Sequence, residues 1–304
     1  MNPEQRAHSI LEGLDAEQRE VALAVGGPVR VLAGAGTGKT RAITHRIAYS
    51  VVTGASEAER TLALTFTNRA AGEMRHRLLG LGVPGAQVRT FHAAALRQLR
   101  FFWPQLSRTA FPELMSSKAS IVARSLAHCK VDSDKALVRD VSGDIEWSKS
   151  NMMDSALVHK AKRDFAIDVA TLAKVMDSYE SLKKDRNLLD FDDILMLMSA
   201  AIRTRPEIQS AVHSAYRWFT VDEFQDVNPL QKSVLDLWIG ERDDICVVGD
   251  PSQTIYSFTG ASSKYLTNFV KAYPNSTLVD LVRCYRCSPE IVAMANAVIH
   301  ADSR

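Results

Sequence analysis

The chain has 304 residues, and its 37 Lys and Arg residues nearly balance its 35 Asp and Glu residues, which leaves a formal net charge of +2. That balance excludes a polybasic protein that holds nucleic acid by bulk charge, and equally an acidic solvating tail. An apolar fraction of 46% against 24% charged residues is typical of a globular core and excludes a disordered or collagen-like chain.

Neither a membrane segment nor a disulfide framework is indicated. Apolar runs fall well short of the ~20 residues that a transmembrane helix needs. The charged N-terminus lacks the apolar stretch of a signal peptide. Four cysteines in a chain of this length do not make a disulfide scaffold. We therefore expect a reduced, cytoplasmic protein.

Short apolar strands alternate with helical patterns along most of the chain, which predicts an α/β fold with a parallel sheet flanked by crossover helices. The predicted strands are residues 29–33, 61–66, 88–90, 218–221, 245–248 and 277–281. Capping residues mark the helix starts. Asp15 with Gln18 predicts a capping box, Asn68 a cap for a helix over 69–79, and Ser288 with Pro289 the start of the last helix.

The alternation breaks between about residues 104 and 187, where helical periodicity with mixed charge replaces the strands. This stretch predicts a helical insertion within the α/β domain. Its basic segments, 160–163 and 183–186, are typical of solvated helix faces, although such charges can also follow duplex phosphates.

A glycine-rich segment between the first strand and the next helix predicts a phosphate-binding loop. It fits the pattern GxxxxGK[ST], except that Ala33 stands at the first glycine. Backbone N–H groups of such a loop cradle phosphates, Lys39 would reach the β- and γ-phosphates, and the Thr40 hydroxyl would bind Mg²⁺. The predicted ATP contacts are Ala33, Gly34, Ala35, Gly36, Thr37, Gly38, Lys39 and Thr40.

Two later strand ends supply the other groups that ATP hydrolysis needs. Asp222 and Glu223 follow the strand 218–221, where Asp222 is placed to hold the metal and Glu223 to act as general base on the attacking water. Gln253 follows the strand 245–248 and could bind the γ-phosphate or that water.

These segments, in this order, resemble the UvrD/PcrA/Rep family of superfamily-one DNA helicases. The similar segments are residues 14–19, 64–71, 89–92, 190–195, 221–226, 249–261 and 281–288. The resemblance implies a RecA-like P-loop domain with an all-helical inserted subdomain. It divides the chain into a first RecA-like segment (1–104), the insertion (105–189), a second RecA-like segment (190–277) and the truncated start of a second RecA-like domain (278–304).

The resemblance also assigns residues to the nucleotide and to DNA. Gln18 would read the adenine, Tyr285 would stack on it, Arg41 would lie near the nucleotide and Arg286 would reach the γ-phosphate across a cleft. The implied DNA contacts are Phe66, Thr67, Asn68, His92, Phe191, Tyr256 and Phe258. Base stacking on aromatic rings tolerates any sequence, which suits a near-neutral chain.

The sequence departs from the family pattern in several places. Phe258 and Thr259 stand where the family usually has Trp-Arg, and Ala93 where Ser is more common. Residues 129–153 of the insertion follow no recognisable pattern, so we expect a divergent paralogue. The paired cysteines 284 and 287 lack the further ligands of a zinc site. The family's second half does not follow within 304 residues, so we expect little activity from the chain alone.

The function implied by the resemblance is 3′→5′ translocation on single-stranded DNA. The implied partners are junction DNA, DNA-repair proteins and a second RecA-like domain in cis. When bound to DNA, the protein would be associated with the nucleoid. Two alternatives stay open. One is the motor part of a helicase–nuclease, and the other is a non-catalytic module that binds ATP and DNA.

Overall fold

Six parallel strands form the central sheet of the computed structural model, which describes residues 2–302 and the side chains of residues 2–299. The strand order is β3-β2-β6-β7-β1-β8. A second, two-stranded parallel sheet pairs β4 with β5. The strands are β1 (Val29–Ala33), β2 (Thr61–Thr65), β3 (Gln87–Thr90), β4 (Glu113–Leu114), β5 (Leu188–Leu189), β6 (Trp218–Val221), β7 (Ile245–Gly249) and β8 (Thr277–Leu281).

Helices cover both faces of the sheet and build the insertion. In the described part of the chain they are α1 (Pro3–Leu11), α2 (Ala16–Leu23), α3 (Lys39–Val52), α4 (Asn68–Gly80), α5 (Phe91–Leu106), α6 (Ala119–His128), α7 (Lys135–Ser150), α8 (Val169–Asp185), α9 (Phe191–Thr204), α10 (Pro206–Ala215), α11 (Pro229–Ile239), α12 (Lys264–Thr267), α13 (Phe269–Ala272) and α14 (Pro289–Asp302). None of the helices among residues 2–302 is long and apolar enough to cross a membrane.

The sheet separates two apolar cores. On one face α1 to α4 pack on β1 and β3, and on the other α5 and α9 to α11 pack on β2 and β6. Every residue of β2 and of β7 is buried, as expected for central parallel strands covered by helices on both sides. The predicted α/β class and its parallel sheet are thus confirmed.

The insertion has an apolar core of its own, built from α6, α7 and α8 around residues such as Leu126, Val141 and Tyr179. The short pair β4–β5 lies where the chain leaves and re-enters the main domain. This pair is one difference from the predicted all-helical insertion. Helix α5 also continues to Leu106 with Pro104 in its last turn, across the predicted boundary at 104.

The predicted strands match the observed ones to within one residue at each end. Strand β8 pairs with β1 from Thr277 to Leu281, so it belongs to the main sheet, whereas the sequence placed residues 278–304 in a second domain. The predicted cap Asn68 is wrong, because Thr67 accepts the hydrogen bond from the Ala70 N–H (3.1 Å) and Asn68 is the first helical residue.

Candidate nucleotide- and DNA-binding site

The predicted site residues collect at the carboxyl ends of the parallel strands, which is where open α/β sheets bind ligands. The glycine-rich loop follows β1, the acidic pair follows β6 and Gln253 follows β7. The aromatic and polar residues predicted to contact DNA follow β2, β3 and β7 or begin α9. One edge of the sheet therefore presents both sets.

The loop between β1 and α3 has a backbone that requires glycine at two positions. Gly36 and Gly38 have φ of 75° and 84°, in the left-handed region. A Cβ on Gly38 would lie 2.5 Å from Nε2 of Gln18, which donates to the carbonyl of Thr37 at 3.1 Å. The Thr37 hydroxyl donates to the Gly34 carbonyl at 2.9 Å. The loop is thus a tight, pre-formed cradle of the kind that binds phosphates.

Gln18 is buried, and its environment corrects the predicted capping box in part. The Asp15 carboxylate accepts the Gln18 N–H at 2.7 Å, as a cap should, but the Gln18 side chain reaches the loop carbonyl of Thr37 instead of the Asp15 backbone. The start of α2 is therefore attached directly to the phosphate loop. This position agrees with a role near the nucleotide, which stays a prediction.

Lys39 and Glu223 meet in front of the loop, with Nζ 3.0 Å from Oε2. The lysine is 12% exposed and the glutamate 37%. Glu223 has φ of 52°, an uncommon value for a residue with a side chain, and such strain is found at functional sites. The neighbouring Asp222 is almost fully buried; burial first, and the Glu223 charge second, raise its pKa to about 7 against the attraction of Lys39.

Gln225 connects the acidic strand end to the next one. Its amide nitrogen donates to Glu223 Oε2 at 2.9 Å, and its amide oxygen accepts the Asp250 N–H at 3.1 Å. Asp250 in turn accepts from the Gln253 side chain at 2.6 Å. Gln253 thus belongs to a hydrogen-bonded chain that ends at Glu223. No role was predicted for Gln225, although it stands within the family-like segment 221–226.

The segment after β8 lies over the phosphate loop. The Tyr285 N–H donates to the Gly36 carbonyl at 2.8 Å, the Tyr285 hydroxyl hydrogen-bonds Asp15, and the Cys284 thiol donates to the Ala35 carbonyl at 3.3 Å. Tyr285 is 57% exposed. Tyr285 and its neighbour Arg286 thus lie beside the phosphate loop, and their roles at the adenine and the γ-phosphate stay predictions.

Arg41 has a structural contact that the sequence did not predict. Its guanidinium donates to the carbonyl of Gly13, in the turn between α1 and α2, at 2.8 Å. The contact ties the first turn of α3 to the N-terminal helices. A role for Arg41 at the nucleotide stays a prediction.

The residues predicted to contact DNA form two aromatic groups. Phe66 stacks on Tyr256 with ring centroids 5.9 Å apart, and Tyr256 lies 6.0 Å from Phe258, which is 69% exposed. His92 meets the ring of Phe191 edge-on at 5.7 Å. Phe258 and Phe191 are the exposed members of the two groups, and exposed rings supported by neighbouring rings are platforms on which bases can stack.

Of the two non-aromatic residues in the predicted DNA set, Thr67 uses its hydroxyl as the cap of α4, while Asn68 is exposed beside it. Among the groups not predicted, Asp226 accepts the N–H groups of Ile255 (3.1 Å) and Tyr256 (3.4 Å). Asp226 therefore holds the loop that carries the first aromatic group.

Thr259, at the position where the sequence departs from the family's arginine, donates to the Tyr256 carbonyl at 2.8 Å. It lines a cavity of about 460 Å³ together with Phe258 and, from the insertion, Trp147 and Arg163. The Arg163 guanidinium lies over the Trp147 ring at 4.7 Å. An arginine from the insertion is thus near the place where the usual one is missing.

The family model for the UvrD/REP helicase N-terminal domain matches residues 14–274. The chain belongs to this family. The resemblance stated from the sequence motifs is therefore confirmed.

Curated relatives of the UvrD family align along almost the whole chain. ATP-dependent DNA helicase UvrD2 of Mycobacterium tuberculosis (strain ATCC 25618 / H37Rv) is 47% identical over 96% of this chain, which is 44% of the relative. PcrA of Leuconostoc citreum is 33% identical over 97% of the chain and 40% of its own length. UvrD1 of the same mycobacterial strain is 32% identical over 96% of the chain and 40% of its own length. The chain thus spans less than half the length of these relatives.

Proposed function

We propose that the protein is the ATP-binding half of a DNA helicase that couples ATP hydrolysis to 3′→5′ movement on single-stranded DNA. The observation that carries the proposal is the 3.0 Å contact between Lys39 and Glu223 at the phosphate loop. The exposed aromatic groups on the same sheet edge support it. The names of the relatives, ATP-dependent DNA helicases, agree with it.

The glycine cradle and the adjacent carboxylates fit ATP with Mg²⁺. Thr40 and Asp222 would hold the metal, which supplies neutralisation of the phosphate charge that develops during transfer. Lys39 binds the β- and γ-phosphates, Tyr285 stacks on the adenine beside Gln18, and Arg286 reaches the γ-phosphate. Glu223 accepts the proton of the attacking water.

The link from hydrolysis to DNA runs through the hydrogen-bonded chain described above. Glu223, Gln225 and the backbone of Asp250 connect the acidic strand end to the loop that carries Tyr256 and Phe258. A change in the bonds made by Glu223 during hydrolysis therefore has a short path to the aromatic platform. Single-stranded and junction DNA would bind there. The division into RecA-like segments and a helical insertion also belongs to this proposal, with β8 counted in the first sheet.

Closure of the cleft by a second RecA-like half would bring a further arginine to the γ-phosphate. Such arginines raise the rate of P-loop enzymes by about 10³–10⁵. We accordingly expect the 304-residue chain alone to bind ATP weakly and to hydrolyse it slowly. Robust DNA-stimulated hydrolysis by this chain would contradict that part of the proposal.

The test is the substitution Glu223→Gln in the protein that includes the second RecA-like half, with Glu241→Gln, at an exposed glutamate, as the matched control. Loss of the general base should lower single-turnover ATP hydrolysis by about 10²–10⁴-fold while the affinity for a fluorescent ATP analogue is kept. The control should hydrolyse ATP like the parent chain. Equal hydrolysis in parent and Glu223→Gln would favour the non-catalytic binding module instead.

A further inference from the structure

The first turn of α9 has buried carboxylates on one side and an exposed aromatic ring on the other. Asp190, Asp192 and Asp193 are buried, with 1%, 6% and 7% exposure, whereas Phe191 between them is 52% exposed. Asp190 caps the helix by accepting the Asp193 N–H at 2.9 Å, and the Asp193 carboxylate accepts the Asp190 N–H at 2.8 Å. The direction of the Phe191 ring therefore depends on how the three carboxylates are held.

Three lysines of the insertion hold them, each at one end of a different helix. Lys118 directly precedes α6, Lys149 is in the last turn of α7 and Lys183 in the last turn of α8. The Nζ–carboxylate distances are 2.9 Å for Lys118 with Asp192, 2.7 and 2.5 Å for Lys149 with Asp190 and Asp193, and 3.1 and 2.6 Å for Lys183 with the same two.

These ion pairs are shielded from water, so replacement of either partner is expected to disturb them strongly. The side chains of Lys149 and Lys183 are 4% and 3% exposed. Burial alone would lower the pKa of Lys149, but Asp190 and Asp193 outweigh burial and raise the pKa, so the lysine stays charged. Removal of one partner leaves a buried charge unpaired, which is strongly unfavourable.

A cluster of carboxylates can alternatively bind a metal ion. Carboxylate oxygens of Glu180, Asp190 and Asp193 lie within 4.8 Å of one another. The ammonium groups of Lys149 and Lys183 contact all three carboxylates, so cations already neutralise them. The cluster is therefore built as an ion-pair network.

The insertion has an apolar core shared by α6, α7 and α8, so the network is not its sole source of packing in the described part of the chain. Tyr179 links that core to the network, because its hydroxyl donates to Asp190 at 2.9 Å and the ammonium groups of Lys149 and Lys183 lie 5.8 and 4.8 Å from its ring centroid. What the lysines do is connect the insertion to the first turn of α9. On the outer side His92 supports the Phe191 ring edge-on.

We infer that Lys118, Lys149 and Lys183 are positioning residues that hold the first turn of α9, and with it the Phe191 ring, for contact with a base of single-stranded DNA. The inference rests on the proposed DNA-binding function. The lysines act through Phe191, and their ammonium groups do not touch phosphate.

A double-mutant cycle tests this on the affinity for a fluorescently labelled oligothymidylate. Lys118→Met is the first variant, because this lysine is the most exposed of the three at 16%. We expect it to weaken binding by about tenfold, comparable to the loss of one stacked base. Phe191→Ala should weaken binding at least as much, and the double variant no more than Phe191→Ala alone. Lys118→Arg should restore binding.

Lys232→Met is the matched control, since this lysine pairs with Asp236 on α11, outside the network, and should leave affinity unchanged. Lys149→Met repeats the cycle at the buried pair, with circular dichroism to check folding. Additive effects of Lys118→Met and Phe191→Ala, or an unchanged affinity, would overturn the inference while the proposed function stands. Failure of the parent chain to bind the oligonucleotide would overturn both.

Discussion

The imidazole of His92 predicts a loss of stability in acid, and its pKa gives the magnitude of that loss. Its Nε2 is enclosed and meets no hydrogen-bond partner in the described part of the chain. Burial, helped by the nearby charge of Lys118 and opposed by Glu146 and Asp190, lowers the pKa of His92 from 6.5 to about 4. The folded protein therefore keeps this imidazole neutral at a pH where the unfolded chain protonates it.

The sign follows from proton linkage. Because the folded pKa is the lower one, the contribution to stability is complete above pH 6.5 and is lost as the pH falls towards 4. At pH 5 the unfolded chain is almost fully protonated at this site and the folded protein is not, which costs about 2 kcal/mol of unfolding free energy relative to pH 7.5.

The assay is urea unfolding of the parent chain and of His92→Gln at the two pH values. The parent should lose about 2 kcal/mol more than the variant on acidification, since glutamine does not titrate. His8→Gln, in which an exposed histidine of α1 is replaced, should behave like the parent. An equal acid-dependent loss in the parent and in His92→Gln would refute the reasoning.

Three further substitutions test the site. Gln225→Leu removes the hydrogen bonds to the Glu223 carboxylate and to the Asp250 N–H, so the free energy of unfolding should fall by about 2 kcal/mol. The rate of ATP hydrolysis should fall more than the nucleotide affinity does. A change in stability under about 0.5 kcal/mol would contradict this. Gly38→Ala puts a Cβ at φ of 84° against Gln18, so the titrated affinity for an ATP analogue should fall about tenfold, and an unchanged affinity would count against a phosphate cradle. Phe258→Ala should weaken oligothymidylate binding, measured by fluorescence anisotropy, by about 1–3 kcal/mol. The control Phe101→Ala, which replaces a 72% exposed residue of α5, should leave binding unchanged. Equal effects of the two substitutions would exclude a stacking platform at Phe258.

The sheet was predictable because strands buried on both faces leave an apolar signature that short loops interrupt. Helix starts were harder where adjacent residues can both cap. Thr67 and Asn68 are each good capping residues, and in the structure Thr67 is the N-cap. The two-residue strands β4 and β5 carry too few residues for a periodic pattern to reveal them.

The candidate site was predictable where a local pattern encodes it. The glycines and Lys39 stand in one short segment, and Asp222 and Glu223 in another, so spacing alone located them. The buried network could not be found in this way. Lys149 is 41 residues from Asp190, and Lys183 read as part of a solvated basic face although it is 3% exposed. A charge pattern along the chain does not show which charges fold inward to meet a partner.

The position of β8 has a mechanical consequence. The strand lies beside β1 with parallel register over five residues, and the chain leaves its end directly across the phosphate loop. The hydrogen bonds between β8 and β1 run across the strands, so a load applied along the axis of β8 would be shared by all of them. Such a load would pass from the edge strand to the strand that carries the phosphate loop.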